Sequence, residues 1–121
     1  MTNEALSELL GKDNLVRGYV YPYEGCRSEY LFEYSPSNIA SFIMQHTDAR
    51  EIILTDVLDR KILNTIGYFI DRCPDQELLP QIMEHLLPIQ LGDKEPREFP
   101  VATAEEVEAL YEMRNEMNIS M

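Results

Sequence analysis

Two cysteines and two histidines are the side chains that could support nucleophilic catalysis: Cys26, Cys73, His46 and His85. A nucleophile needs a base that the fold holds beside it, and none of the four lies in a recognisable catalytic signature. Cys26 precedes Arg27 in a predicted loop, where a cation favours the thiolate. Cys73 falls among apolar residues and is predicted to be buried. The histidines fall near predicted helix ends, where a helix-dipole interaction is the simpler role.

Asp56 and Asp59 form the second pair that could carry chemistry. They are three residues apart and follow a predicted strand, so they could hold Mg²⁺ or act as an acid and base. Carboxylates at such a position also cap a following helix, and we favour that interpretation. The sequence contains no HExxH, CxxC or glycine-rich phosphate loop, so it predicts no metal and no cofactor.

Tyrosine is concentrated in one predicted β-hairpin. Five tyrosines occur within sixteen residues: Tyr19, Tyr21, Tyr23, Tyr30 and Tyr34. Alternation along the two strands predicts that they share one face of the hairpin, with Val16, Val20 and Leu31 on the other. Tyrosine is enriched at protein interfaces, so this face is a candidate binding surface. Ordinary cross-strand tyrosine pairing is the alternative.

A stripe of glutamates runs along one side of the C-terminal helix that we predict over residues 103–118. The helix starts with a capping box formed by Thr103 and Glu106. Its acidic side carries Glu105, Glu108, Glu112 and Glu116. We expect its apolar side to dock through Val107, Leu110, Tyr111 and Met117. Like charges at i, i+4 repel by a few tenths of a kcal/mol, which a basic partner would relieve. An isolated helix of this length is marginal, so it must dock on its own domain or on a second copy.

The remaining patterns predict an α+β fold. We expect a small, mostly antiparallel sheet of about three strands, from a hairpin over residues 15–34 and a strand over 51–55. Four to five helices should cover it, including helices over residues 3–10, 36–46 and 74–88.

Residues 57–72 fit two periods. Seven apolar residues share one face at helical spacing: Leu58, Ile62, Leu63, Ile66, Phe69, Ile70 and Cys73. A two-residue period accounts for Ile62, Ile66, Tyr68 and Ile70 but leaves Leu63 and Phe69 on the opposite face. The count therefore favours a helix over two strands.

The 121 residues suffice for one core, which we place in residues 1–92. Gly92–Pro100 contains one glycine, two prolines and five charges in nine positions, so 93–100 is predicted to be an exposed connector. Residues 101–121 then form the C-terminal helical segment.

Charge and composition exclude several functions. Twenty-two acidic residues against ten Lys and Arg give a net charge of −12, which disfavours direct binding to nucleic acids or anionic membranes. The sequence shows no signal-peptide pattern and no apolar run of membrane-spanning length. Two cysteines are too few for a disulfide framework, so we expect a cytoplasmic protein.

Three segments carry a resemblance to known sequences: Gly18–Gly25, Thr55–Arg60 and Gly67–Asp75. They resemble small, uncharacterised acidic proteins encoded in mobile elements of anaerobic Gram-positive bacteria, some of which carry the label resolvase. The resemblance implies no activity and no functional residue. A serine recombinase needs a nucleophilic serine among arginines and a basic DNA-binding region, which a chain of charge −12 lacks.

We therefore expect a non-enzymatic bacterial accessory protein that binds another protein, or itself, through the tyrosine-rich hairpin and the C-terminal helix. One alternative is an acidic inhibitor that mimics nucleic acid and binds a basic nucleic-acid-binding protein. The other is a small enzyme that uses Cys26 with a histidine, or Asp56 with Asp59.

Overall fold

Residues 2–119 are described in a computed structural model of the chain, with side chains described as far as Met113. The elements in chain order are α1 Asn3–Leu10, β1 Leu15–Tyr21, β2 Ser28–Glu33, α2 Pro36–Met44, β3 Glu51–Asp56, β4 Lys61–Ile66, β5 Phe69–Arg72, α3 Leu78–Gln90, β6 Val101–Thr103 and α4 Ala104–Ile119.

The fold is α+β, as the sequence predicts. One six-stranded sheet has the order β5-β4-β3-β1-β2-β6, and each neighbouring pair is antiparallel. The expectation of about three strands was therefore too low. The hairpin and the strand near residues 51–55 are present as β1, β2 and β3, whereas β4, β5 and β6 were missed.

The first two helices each begin directly after a residue whose hydroxyl caps the helix. The Thr2 hydroxyl accepts a hydrogen bond from the Ala5 amide at 3.1 Å, and α1 starts at Asn3. The Ser35 hydroxyl accepts one from the Asn38 amide at 2.9 Å, and Pro36 occupies the first turn of α2.

One face of the sheet, here called the inner face, carries the main core. Alternate residues of β1, such as Val16 and Val20, point to this face together with Phe32 of β2. They pack against α2 and α3, whose buried residues include Ile39, Phe42, Ile43, Ile82 and Leu86. Burial of these apolar side chains is the main source of the stability of the fold.

The opposite, outer face is only half covered. A second cluster joins Leu6 and Leu9 of α1, Ala102 of β6 and Leu110 of α4. Ala102 pairs with Leu31, so this cluster lies over the β2–β6 end of the sheet. At the other end, Ile66 and Phe69 pair with each other and remain 65% and 59% exposed.

The helix predicted over residues 57–72 is wrong, because this segment forms the β4–β5 hairpin. Gly67 has a φ of +59° in the two-residue turn between the paired residues Ile66 and Phe69. The register shifts once between Leu54 and Thr55 and again between Asn64 and Thr65. Such shifts interrupt strict alternation, which is why a two-residue period fitted the segment poorly.

The helix predicted over residues 74–88 is α3, which starts later and continues through Pro88 to Gln90. Asp75 Oδ1 accepts hydrogen bonds from the amides of Glu77 and Leu78 at 2.9 and 3.2 Å, which holds the turn before the helix.

Residues 93–100 form no helix or strand, and they are attached to the core. Gln45 Nε2 donates to the Arg97 carbonyl at 2.8 Å, and the Arg97 amide donates to the Ser41 hydroxyl at 2.9 Å. The ring of Phe99 meets that of Phe32 edge-on at 5.5 Å between centroids. These contacts lead the chain directly into β6.

None of the helices in the described part of the chain combines the length and apolar character that crossing a bilayer requires.

Candidate functional site

The five tyrosines do not share one face, so that prediction is wrong. Tyr19 lies opposite Glu29 in the β1–β2 ladder, whereas Tyr30 lies opposite Gly18. Directly opposed residues of an antiparallel pair point to the same face, so Tyr19 faces outward and Tyr30 inward. The same register places Leu31 outward, away from Val16 and Val20.

Tyr30 belongs to the core on the inner face. Its ring packs edge-on against Phe42 with centroids 5.5 Å apart, and lies 5.2 Å from the His46 ring. The His46 ring also lies 4.5 Å from that of Phe42. The role of Tyr30 in this arrangement is packing.

Tyr19 and Tyr21 form a polar aromatic cluster on the outer face with Arg27 and Glu29. The Arg27 guanidinium lies 4.8 Å from the centre of the Tyr19 ring. Its Nη1 donates to the Tyr21 hydroxyl at 3.1 Å, and its Nη2 pairs with Glu29 Oε1 at 2.9 Å. Arg27, from the hairpin loop, thus contacts both tyrosines.

The other two tyrosines lie outside both ladders. Tyr23 is in the hairpin loop and is 75% exposed. Tyr34 follows β2, and its amide donates to the Asn14 carbonyl at 2.9 Å. Partial burial is the main cause that raises the pKa of the Tyr34 hydroxyl.

A groove of about 630 Å³ opens on the outer face between β1, β2 and α4. Its sheet wall includes Leu15, Arg17, Tyr19 and Leu31. Its helix wall is formed by Val107, Glu108, Tyr111 and Glu112. Tyr111 is 49% exposed, so the expectation that it docks into the core with Leu110 is wrong. Its ring is instead partly exposed to solvent on the wall of the groove.

The sequence predicts a capping box of Thr103 and Glu106, and this box holds the helix wall in place. The Glu106 amide donates to the Thr103 hydroxyl at 3.1 Å, and the Thr103 amide donates to Glu106 Oε1 at 3.1 Å. The hydrogen bond from the Thr103 amide is the main cause that lowers the pKa of the Glu106 carboxyl. Because Thr103 also ends β6, the box connects the sheet directly to α4.

The predicted glutamate stripe is exposed over the part of α4 whose side chains are described. Glu105, Glu108 and Glu112 are all on the surface of α4, and the side chain of Glu116, like that of Met117, lies outside the described residues. Successive members at i, i+4 are about 6 Å apart along the helix axis.

The charges in the groove are only partly balanced. Arg17 pairs with Asp59 at 3.3 Å, and Glu29 pairs with Arg27. No ion pair involves Glu108 or Glu112 within the described portion of the chain. The groove thus combines an apolar and aromatic lining with one acidic wall.

Asp56 holds the β3–β4 loop rather than a helix, which corrects the predicted cap. Its Oδ1 accepts from the amides of Leu58 and Arg60 at 2.8 and 2.9 Å, and its Oδ2 pairs with Arg60 Nε at 2.6 Å. The hydrogen bond from the Arg60 amide is the main cause that lowers the pKa of the Asp56 carboxyl. Asp59 occupies the left-handed region of the same loop, with φ of +61°.

A second cleft, of about 480 Å³, opens beside this loop and includes Asp56, Lys61 and Asp75. Three aspartates line it, and two of them, Asp56 and Asp75, accept hydrogen bonds from backbone amides, as described above; the third is Asp13. No group of three or more metal-ligating side chains is found among the residues whose side chains are described. The cleft therefore offers no built cation site.

Among the described residues, no hydrogen bond joins a cysteine to a histidine. Cys73 is buried, as the sequence predicts, Cys26 is exposed, and both are free thiols. Burial is the main cause that raises the pKa of Cys73, which donates to the Asp75 carbonyl at 3.4 Å.

His46 Nδ1 lies 2.8 Å from the Phe42 carbonyl in the last turn of α2, consistent with the predicted helix-end role. His85 falls inside α3 rather than at its end, because that helix extends to Gln90.

The sequence patterns identified Tyr19, Glu108 and Glu112 as candidate binding residues, but they did not predict that the three line one groove. Leu15 and Arg17 share the outer face of β1 with Tyr19, and that alternation was visible in the sequence. The strand β6, which brings α4 beside β2, contains three residues and gives no periodic signal.

Comparison with known proteins gives no match of the chain to a family model, to a curated protein or to a solved structure. Its function must therefore be inferred from the geometry of the groove.

Proposed function

We propose that this chain is a non-enzymatic accessory protein that binds another protein in the groove between the outer face of the sheet and α4. The observation that carries the proposal is the combination of Tyr19 and Tyr111 with apolar Leu15 and Val107 in one open groove. Protein interfaces are enriched in aromatic residues and arginine around an apolar centre. Arg17 supplies the arginine on the same wall.

Preorganisation also supports a binding role. The ring of Tyr19 is held by Arg27, and α4 is tied to the sheet by the capping box. Side chains that are already ordered lose less conformational entropy when a partner docks.

The candidate catalytic side chains lie elsewhere. Neither cysteine, neither histidine and neither member of the Asp56–Asp59 pair lines the groove. A bound partner would therefore meet an apolar and aromatic wall beside carboxylates, which suits recognition better than bond-making chemistry.

Site-specific photo-crosslinking in cells of the native host tests the proposal. A photoreactive phenylalanine analogue replaces Tyr111 in the groove, and in a matched control it replaces Leu87 on α3, which is 46% exposed against 49% for Tyr111. We expect a discrete protein adduct from position 111 only. No adduct at 111, or the same adduct at both positions, would overturn the proposal.

The exposed glutamates of α4 favour one second candidate, an acidic mimic of nucleic acid. Their spacing of about 6 Å is sparse beside duplex DNA, which carries about one charge per 1.7 Å of axis. A mimic would be displaced from its partner by duplex DNA, and its binding would weaken steeply with salt. Binding that resists both DNA and salt would exclude this candidate.

A further inference from the structure

We infer that the partner segment is an amphipathic α-helix with a basic flank, and that it docks alongside α4 on the outer face of the sheet. This inference rests on the proposed function and specifies the class of partner that the groove accepts.

The hydrogen bonding of the groove floor favours a helix over an extended segment. β1 lies between β2 and β3, and β2 lies between β1 and β6, so neither strand has a free edge. An extended peptide on this floor would find no strand to pair with and would leave its own amides and carbonyls without protein partners. A helix satisfies these groups internally and needs only side-chain contacts.

General packing distances indicate where such a helix would lie on the outer face, where α1 borders the groove through Leu10. Packed helices lie 8–10 Å apart, about twice the 4.7–4.9 Å between neighbouring strands. A helix beside α4 would therefore lie above β1 and β3. There Tyr19 and Ile53 are directly paired on the outer face, and both are only half-buried. Those two side chains would form the apolar floor under the docked helix.

The negative charge of the α4 wall favours basic residues on the flank of the partner helix that faces this wall. Glu108 and Glu112 are one helical turn apart and line the groove without an ion pair, in the part of α4 whose side chains are described. Lysine or arginine at i and i+4 of the partner helix would match this spacing and relieve the repulsion between the two carboxylates. Arg17 does not provide this match, because it is paired with Asp59.

Synthetic peptides test the inference directly. The probe is a fluorescent 18-residue peptide of leucine and lysine, with leucine at helical spacing on one face. One control has the same composition with the order scrambled, so that no apolar face forms. We expect the amphipathic peptide to bind in a fluorescence anisotropy titration and the scrambled peptide to bind at least tenfold more weakly. Equal affinity for the two would overturn the helical form of the partner.

A matched pair of double variants distinguishes the effect of the groove carboxylates on peptide binding from the effect of the net charge of −12. E108Q/E112Q removes two charges from the groove, and E95Q/E98Q removes two from the connector. We expect about fivefold weaker binding of the amphipathic peptide to the first and no change for the second, since two exposed charge pairs are lost. Equal weakening in both variants would show that net charge alone holds the peptide, and would overturn the inference.

The two proposals fail in different ways. A partner crosslinked at position 111 that contributes a strand, or a helix without basic residues, leaves the groove as the binding site and overturns only the inference about the partner. Absence of an adduct at position 111 overturns the proposed function itself.

Discussion

Tyr19 and Tyr30 lie close together in the β1–β2 ladder but on opposite faces of the sheet. Tyr19 is opposite Glu29, and Tyr30 is opposite Gly18 in the adjacent position. Both residues border the groove, but the ring of Tyr19 faces outward, whereas the ring of Tyr30 packs on Phe42 and His46. We therefore expect substitutions of the two rings to have separable effects, at Tyr19 mainly on binding and at Tyr30 mainly on stability.

The first prediction uses this separation. Y30A should lower the free energy of unfolding by about 2 kcal/mol, because it removes a half-buried ring from the core. Y19A should cost much less, because it removes an outward ring that contacts an exposed arginine. Urea unfolding monitored by circular dichroism measures both. Equal losses for the two variants would contradict the assignment of faces.

The close approach of Phe42 to Gly18 gives the second prediction. A Cβ at position 18 would lie 2.7 Å from Phe42 Cζ, and that ring is stacked on Phe32. G18A should therefore destabilise the fold by about 1–3 kcal/mol through overpacking. The added substitution F42L should recover part of the loss, which a double-mutant cycle measures. The matched control is G11A, where a Cβ meets only ordinary contacts of 3.5 Å or more.

Gly67 gives a third prediction in which the sign is decisive. In the β4–β5 turn its φ is +59° and a Cβ would have open space around it, so G67A should cost about 1 kcal/mol through backbone strain alone. In a helix over residues 57–72, the same change would instead stabilise the protein by about 1 kcal/mol. Chemical denaturation distinguishes these signs, and a more stable G67A protein would contradict the hairpin.

The β4–β5 hairpin also shows where sequence reasoning fails in this chain. The positions of α1, α2 and β3 were predicted correctly, because the sequence patterns that indicate them are local. In β4 and β5 the apolar residues divide between the two faces, and a register shift breaks their alternation. A helical count over the same residues then gave the more regular pattern. Only pairing with β3 resolves such a segment, and pairing is not a local property.

For the candidate site, the sequence indicated several of the residues but not the face of the sheet on which each one lies. The residue types of the groove were recognised at Tyr19, Glu108 and Glu112. The inward position of Tyr30 was not, because it depends on which residue of β2 lies opposite Tyr19. A change of one residue in that register reverses the face of every side chain in the strand.

The capping box of α4 predicts a specific dependence of stability on pH. The folded pKa of Glu106 is lowered, chiefly by the Thr103 amide, so its charged form stabilises the native state at pH values above the unfolded pKa of about 4.3. That contribution is lost as the pH falls through the folded value. We therefore expect wild type to be more stable than E106Q at pH 7, and the difference to disappear in strong acid.

Thermal unfolding of wild type and E106Q at a series of pH values measures this difference. The comparison cancels the contribution of other carboxyls with a lowered pKa, such as Asp56. A difference that persists unchanged at pH 2 would contradict the role of the charged carboxylate.

The affinity of the crosslinked partner, once purified, tests the groove most directly. Two double variants that remove the same number of tyrosine rings are compared with wild type by calorimetry. Y19A/Y111A alters the groove, whereas Y23A/Y34A alters positions outside it. We predict at least tenfold weaker binding for Y19A/Y111A and unchanged binding for Y23A/Y34A, because truncation of central aromatic residues usually costs more than 1 kcal/mol each. Unchanged affinity of Y19A/Y111A would contradict the groove as the binding site.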